Sequence, residues 1–171
     1  MSLSMRIAGA SDAPAITALV ESAYRGDESR SGWTSEEQLF QDSRTSVAEI
    51  EGFIADLDTR FIVAFAGADL VGCAMIRNEH GEGYFGLFAV RPNLQGSGTG
   101  KQILTFSENA SRDLWGCRVM NMTVINIREE LVAFYLRRGY CQTATKPFPF
   151  DKEPNARRKD FHFVVLSKSL G

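Results

Sequence analysis

The segment Val90-Arg91-Pro92-Asn93-Leu94-Gln95-Gly96-Ser97-Gly98-Thr99-Gly100-Lys101 constrains this chain more than any other stretch of its sequence. It sets glycines at alternate positions between two elements. Before it lies a strand-like run, Tyr84 to Val90, and after it a helical stripe over Gly98 to Leu114 with Ile103, Leu104 and Phe106 inward. A turn of this composition between strand and helix exposes several backbone N–H groups, and the helix N-terminus adds positive dipole character. Together they make a ready anion site, most naturally for phosphate. A Cβ at the glycines would block close approach of a ligand and restrict the dihedrals of the loop. The apolar run Val119 to Ile125 follows the helix and reads as a strand parallel to Tyr84–Val90, joined to it by a right-handed crossover. Ligands in such sheets favour the carboxyl ends of the parallel strands, where these glycines lie.

The rest of the chain supplies the partners of that unit. Met5 to Ala10 reads as a first strand. Ser11-Asp12-Ala13-Pro14 gives helix-start signals, and Ile16, Leu19, Val20 and Ala23 form the apolar stripe of a helix ending near Gly26. A polar loop leads to Thr34-Ser35-Glu36-Glu37, which opens a second helical piece, and Ser46 to Leu57 has the period of another helix. The period then changes to that of strands at Arg60–Ala66 and Leu70–Arg77, joined by the hairpin residues Gly67-Ala68-Asp69. A turn over 79–83 leads into Tyr84–Val90. Arg128 to Arg138 reads as a helix and Phe161 to Leu166 as a final strand. The order is that of a mixed α/β (α+β) sheet in one domain over residues 5–168, with residues 1–4 as a tail.

Length and charge set further bounds. The chain has 171 residues, 44% hydrophobic and 23% charged, which suits one domain with a sizeable core. Its 19 basic and 21 acidic residues leave a net charge of -2, and Arg157-Arg158-Lys159 is too short a basic run for a nucleic-acid footprint. No apolar run is long enough to span a membrane, and the first twenty residues carry no signal-peptide pattern. Cys73, Cys117 and Cys141 are odd in number and widely spaced, so neither a disulfide framework nor a zinc site is expected, and no metal is assigned. All three read as small buried hydrophobes in a reducing, cytoplasmic setting.

Three phosphate-binding patterns compete for the glycine loop. A P-loop ending at Gly100-Lys101 needs glycine at 95 and a hydroxyl at 102, and the chain has Gln95 and Gln102 there. The dinucleotide fingerprint beginning at Gly96 and Gly98 needs a third glycine at 101, which is Lys101. Gln95-Gly96-Ser97-Gly98-Thr99-Gly100 does fit Gln/Arg-x-x-Gly-x-Gly/Ala. With this match the sequence resembles the GNAT superfamily of N-acetyltransferases, in element order from about residue 5 to 168 and most specifically between Phe85 and Tyr140. A second match, Asn126 followed by Ala133-Phe134-Tyr135-Leu136-Arg137-Arg138-Gly139-Tyr140, is similar to the family's Phe-Tyr-x-x-x-Gly-Phe/Tyr segment.

The resemblance implies a mostly antiparallel sheet with helices on both faces, acetyl-CoA as cosubstrate and transfer of its acetyl group to an amine. It implies that the loop amides of Gln95, Gly96, Ser97, Gly98, Thr99, Gly100 and Lys101 hold the coenzyme A pyrophosphate. It sets Phe88, Ala89 and Val90 beside the thioester arm, Asn126 near that arm, and Tyr135 as proton donor to the departing thiolate. A phenol with an ordinary pKa of about 10 is protonated at neutral pH, which suits that role; packing against Leu131 and Phe134 is the plainer reading, and the two can coexist. The general base stays open among Glu82, Glu36, Glu37, His80 and His162, with Glu82 preferred. Arg30, Trp33 and Glu36 read either as contacts to a small polar acceptor or as core closure. Phe148, Phe150, Pro147 and Pro149 read as a lid or as a rigid connection. The acceptor is a small-molecule or peptide amine, a homodimer is common in the family, and an acyl-CoA-binding module without turnover is the alternative to an enzyme.

Overall fold

Seven strands make one sheet in the order β1-β2-β3-β4-β5-β7-β6, in a computed structural model that describes residues 2–24 and 43–171. The strands are β1 (Ser4–Ile7), β2 (Thr59–Ala66), β3 (Asp69–Glu79), β4 (Glu82–Val90), β5 (Val119–Ile125), β6 (Cys141–Pro147) and β7 (His162–Ser169). Every neighbouring pair is antiparallel except β4–β5, the parallel crossover expected from the sequence. Helices α1 (Ala13–Tyr24) and α2 (Val47–Ala55) cover one face, where they pack with Phe61, Val63, Met75, Leu87 and Ala89. The other face packs α3 (Thr99–Trp115) and α4 (Glu129–Arg137) with Phe85, Phe88, Met120, Met122 and Val124. No helix among the described residues is long and apolar enough to cross a membrane.

Local chemistry explains the element ends. The β3–β4 hairpin is tighter than the five-residue turn expected, because His80 and Gly81 both take positive φ, 56° and 92°, as two-residue hairpin loops of the I′ kind require. The Asn78 side chain accepts the Gly81 amide at 2.9 Å and fixes the turn. Ser46 caps α2 by accepting from the Glu49 amide. Asp12 accepts the Gly9 amide ahead of α1 and is itself gripped by both Arg6 terminal nitrogens. Gly116, at φ 68°, ends α3 as a left-handed cap.

Two details differ from the sequence reading. Cys141 is exposed rather than buried, because it begins β6, an edge strand whose every residue is exposed. That strand carries no alternating apolar pattern, which is why periodicity alone does not reveal it. Ser4, placed in the tail, pairs with Phe65 as the first residue of β1, and Leu3 packs against the core. The helical piece expected at Thr34–Glu37 lies outside the described residues.

One irregularity decides the shape of the sheet. Between β3 and β4 the register steps from Cys73↔Ala89 to Met75↔Gly86, so three steps on β4 face two on β3. The extra residue is Leu87, whose φ of 42° is unusual for a side chain of its kind. Without it Phe85 and Phe88 would face opposite sides; with it both rings point to the α3/α4 face, 5.2 Å apart, while Leu87 and Ala89 join the α1/α2 core. On its other edge β4 pairs with β5 only at Gly83↔Met120 and Tyr84↔Asn121, then parts from it. From Phe85 onward the sheet is split.

The α3/α4 layer is tied down by a polar cluster in otherwise apolar packing. Buried Tyr140 donates to Glu108 at 2.8 Å, and Lys168 reaches both oxygens of the same carboxylate at 3.1 and 3.2 Å. Burial first, then the nearby Glu108 charge, raises the Tyr140 pKa, so the phenol stays a donor. Removing that donor in Tyr140→Phe should destabilise the fold by about 1–2 kcal/mol. Glu108→Ala, which strands both partners, should cost more. Urea unfolding reads both effects, and an unchanged midpoint for Tyr140→Phe would remove this cluster from the stability account.

Candidate active site

The split between β4 and β5 encloses a cavity of about 190 Å3 that reaches through the sheet. Tyr24 and Arg44 line it from the α1/α2 side, Leu131 and Tyr135 from α4, and Phe85 to Phe88 and Met122 to Ile125 from the parted strands. The Tyr24 hydroxyl donates to the Phe88 carbonyl at 2.6 Å, bracing the bulged part of β4 from the α1 side. At its narrow end the gap is bridged by the Tyr84 hydroxyl and Thr123 Oγ1, 3.0 Å apart. β5 meanwhile pairs with β7 along its whole length, from Val119↔Ser169 to Ile125↔Phe163. Both strands therefore present main-chain edges to the gap without a strand between them.

Tyr135 sits in an aromatic nest. Its ring makes edge contacts with Phe85, Phe134 and Tyr140 and a tilted contact with Phe88, all with centroids between 5.3 and 6.3 Å. Burial holds its pKa well above the usual phenol value, Tyr24 adds to the rise, and the Arg128 charge opposes it. The hydroxyl is thus protonated throughout the physiological range. The packing role and a place on the cavity wall coexist in one side chain.

A second and larger cavity, about 550 Å3, opens where the glycine loop meets α4. Gln95, Gly96, Gly98, Gly100 and Lys101 line one side, and Glu130, Ala133, Phe134, Arg137 and Arg138 the other, so three basic side chains stand against one carboxylate. Gly96 and Gly98 both take φ 89°, and nothing lies within 4 Å of where a Cβ would stand, so backbone conformation is what demands glycine there. Gly100 differs. A Cβ on it would come within 3.0 Å of the Phe88 ring, so this glycine is required by helix–strand packing rather than by the cavity. Gly98 caps α3, leaving the amides of Thr99, Gly100 and Lys101 at a helix start with no acidic residue in its first turn. The Gln95 and Ser97 amides are engaged inside the turn, with the Pro92 and Leu94 carbonyls, and the Gln95 side chain donates to the Val90 carbonyl at 3.0 Å. The Ser97 and Thr99 hydroxyls lie 2.9 Å apart, with Ser97 donating to the Leu94 carbonyl.

The structure thus brings Phe88 and Tyr135 to the split, and most of the loop to the neighbouring cavity. Ala89 and Val90 are fully buried further along β4. Asn126 stands just past β5, where its Oδ1 accepts the His162 amide at 2.8 Å and extends the β5–β7 ladder. Glu82 is not on the cavity wall. It is exposed at the closed end of the β4–β5 pair, accepting from Asn121 Nδ2 at 2.7 Å. His80 lies in the β3–β4 turn and His162 at the start of β7. Arg30, Trp33, Glu36 and Glu37 lie outside the described residues. Phe148 makes tilted or edge-on contacts with Phe150, Phe161 and Phe163, and Phe150 with Phe161, in a separate cluster whose Ile125 and Phe163 reach the cavity, so the connection before β7 is a small packed unit beside it.

Several wall residues escape a sequence reading. Tyr24 opens the run, reaching to Glu36, that the sequence offers as an acceptor contact, but Arg44, Tyr84, Thr123 and Arg128 belong to no motif. Arg137-Arg138 falls inside the recognised segment, but basic residues in a last helical turn also answer the helix dipole, so their type alone is ambiguous. The Arg138 guanidinium lies 4.9 Å from the centroid of the Phe134 ring, which holds it at the cavity rim.

Comparison with known proteins agrees with this geometry. The model of the Acetyltransferase (GNAT) family matches residues 20–140. No curated protein matches the sequence. Among solved structures, a Desulfovibrio desulfuricans protein assigned to the GNAT acetyltransferases superposes with a TM-score of 0.75 at 20% identity, over 99% of this chain and 100% of that one. An N-acetyltransferase from Staphylococcus aureus Mu50 gives 0.77 at 12% identity, over 99% of each chain. The PaiA N-acetyltransferase of Thermoplasma acidophilum, solved with coenzyme A, gives 0.67 at 15% identity, again over 99% of each.

The different demands on the glycines are separable by stability. Gly96→Ala and Gly98→Ala should each cost about 1–2 kcal/mol of backbone strain with no packing defect. Gly100→Val should cost more, about 2–3 kcal/mol, by driving Phe88 out of its site. Thermal melts of the three variants check the order, which fails if Gly100→Val is the mildest.

Proposed function

The chain belongs to the GNAT acetyltransferase family and is an N-acetyltransferase with acetyl-CoA as cosubstrate, and from that premise we propose that the two cavities hold the cosubstrate and present its thioester to an amine inside the sheet split. The observation that carries this reading is the parting of β4 from β5 beside a glycine loop with a helix start. The amides of Thr99, Gly100 and Lys101, with the Lys101, Arg137 and Arg138 charges, suit a pyrophosphate and a further phosphate in the larger cavity. The unpaired edge of β4 suits the amide-bearing arm, which would pair with it as an added strand does. The acetyl group would then lie by Phe88 and Tyr135.

Acetyl-CoA supplies an activated acyl carbon and a thiolate leaving group. What the protein does follows from its own groups. Tyr135, protonated and on the cavity wall, donates its hydroxyl hydrogen to the departing sulfur. The bulged β4 backbone fixes the acceptor's line of approach, and burial of the walls keeps bulk water out. Glu82 stands two residues before Tyr84 on the same face of β4, because side chains alternate along a strand. In this reading it takes the proton that the amine gives up, through water. Asn126 holds the start of β7 against β5 and so supports that side of the gap. A cytoplasmic setting suits the unpaired cysteines, and burial pushes the Cys73 thiol up to about 12, leaving it inert. A homodimer is proposed on family grounds alone.

Steady-state kinetics of thiol release test these roles. Tyr135→Phe should lower kcat about 10- to 100-fold with the KM for acetyl-CoA nearly unchanged. Because the phenol pKa is raised, no basic limb below pH 10 should belong to Tyr135, and the pH profile of the variant should keep its shape. Full activity in Tyr135→Phe would remove the donor role. Glu82→Gln should lower kcat about tenfold, and an unaffected variant would exclude Glu82 as base. Replacing Gly98 by Val should abolish acetyl-CoA binding in calorimetry. Binding of acetyl-CoA with no acceptor-dependent release across a broad amine set would favour the binding-module alternative.

A further inference from the structure

A row of polar side chains crosses four strands of the sheet and ends at Glu82. Glu82 Oε2 accepts from Asn121 Nδ2 at 2.7 Å, across the closed end of the β4–β5 pair. Asn121 Oδ1 in turn accepts from the hydroxyl of Ser167, its cross-strand partner on β7. Ser167 Oγ lies 3.1 Å from Thr143 Oγ1 on β6. Thr143 is the residue left unpaired where the β6–β7 register steps from Gln142↔Leu166 to Ala144↔Val165.

The hydrogens in this row run in one direction. Ser167 has a single hydroxyl hydrogen and gives it to Asn121, so Thr143 is the donor to Ser167. With Oδ1 so engaged, the Asn121 amide turns its NH2 to Glu82, whose ionised carboxylate can only accept. Every donor therefore points toward one carboxylate, an arrangement that favours its charged form. Among the described residues no cation pairs with Glu82, so its charge rests on this row. Its titratable neighbours are Glu79, opposite it in the β3–β4 hairpin and 3.9 Å from Arg77, His80 in the turn, and Cys117. Burial first, then the Glu82 charge, raises the Cys117 thiol pKa. Glu82 Oε1 makes no hydrogen bond among the described residues, and the side chain is exposed. One oxygen is anchored and the other is free to take a proton.

The row stands in line with the cavity. Glu82 and Tyr84 share one face of β4, and Asn121 and Thr123 share the same face of β5. The Tyr84–Thr123 hydroxyl pair bridges the narrow end of the cavity, and the Glu82–Asn121 pair bridges the strands two residues further out. That step is about 7 Å, roughly two or three hydrogen bonds through water.

Resting on the reading of Glu82 as base, we propose that Asn121, ordered by Ser167 and Thr143, is a positioning residue that keeps Glu82 an ionised proton acceptor at the exit of the cavity. The amine nitrogen forms the new C–N bond at the acetyl carbon and the C–S bond breaks. The sulfur takes the Tyr135 hydroxyl hydrogen. The proton lost by the nitrogen leaves past the Tyr84 and Thr123 hydroxyls, through water, to Glu82 Oε1. Glu82 then gives it up to solvent and Tyr135 regains one from water, so both end as they began.

The test is the kinetics of thiol release with the purified full chain, acetyl-CoA and the fastest amine of a panel of amino acids, polyamines and short peptides. Asn121→Leu should lower kcat about three- to tenfold and leave the acetyl-CoA KM unchanged. It should also move the acid limb of the kcat/KM profile up by about 0.5–1 pH unit, because loss of a donor favours the protonated acid. Asn121→Asp sets a second carboxylate against Glu82 and should move the limb further the same way. Ser167→Ala should give a smaller shift of the same sign. In a Glu82→Gln background, Asn121→Leu should have no further effect on kcat. Unmoved pH profiles in the Asn121 variants would overturn the proposal, as would a loss in Asn121→Leu that persists in full beside Glu82→Gln, or no turnover with any amine. Full activity of Glu82→Gln would instead remove the base on which it rests.

Discussion

A single extra residue in β4 governs this molecule. Leu87 sits in the left-handed region, at an expected cost of about 1–3 kcal/mol for a non-glycine residue. Its side chain is 7% exposed in the α1/α2 core, and burial of a leucine offsets about 1.5–3 kcal/mol. The strain is therefore sustained by packing, and the Tyr24 hydroxyl on the Phe88 carbonyl adds a directional restraint. From that bulge follow the shared face of Phe85 and Phe88, the departure of β4 from β5, and the cavity that passes through the sheet.

The two cavities divide the chemistry between them. The larger one, at the glycine loop, combines helix-start amides with the cationic groups of Lys101, Arg137 and Arg138, a combination that suits phosphate. The smaller one, in the split, carries aromatic and hydroxyl side chains with two guanidinium groups. Phe88 and Phe134 stand between the two, their rings stacked at 6.1 Å. Gly100 lets the start of α3 settle on Phe88, so the geometry of the glycine loop depends on the same ring that forms a wall of the smaller cavity. Packing links the two cavities.

Particular residues show how far a sequence reading reaches. The glycine loop and the Phe134–Tyr140 segment were legible because both depend on local chemistry, a turn needing positive φ and a helix needing an end. The parallel crossover was legible because one helix separates two apolar runs. The early strand β1 and the hairpin of β2 and β3 were equally plain from period and turn residues. β6 was not, since an exposed edge strand has no buried face to impose alternation. Cys141 reads as interior from its strand-like surroundings, which do not show that its strand lies at an edge.

The sequence by itself determined the family, the place of the glycine loop and every described element but β6, because each is encoded in local period and turn chemistry. Only the tertiary structure decided that Gly100 serves packing, that Glu82 stands off the cavity wall, and that Tyr24, Arg44, Tyr84, Thr123 and Arg128 surround the split. Those side chains come from three elements, α1, β4 and β5, and from the segments just before α2 and α4, separated by up to about a hundred residues. What brings them together is the parting of β4 from β5 after Tyr84, a contact between distant segments that no local pattern in the chain records.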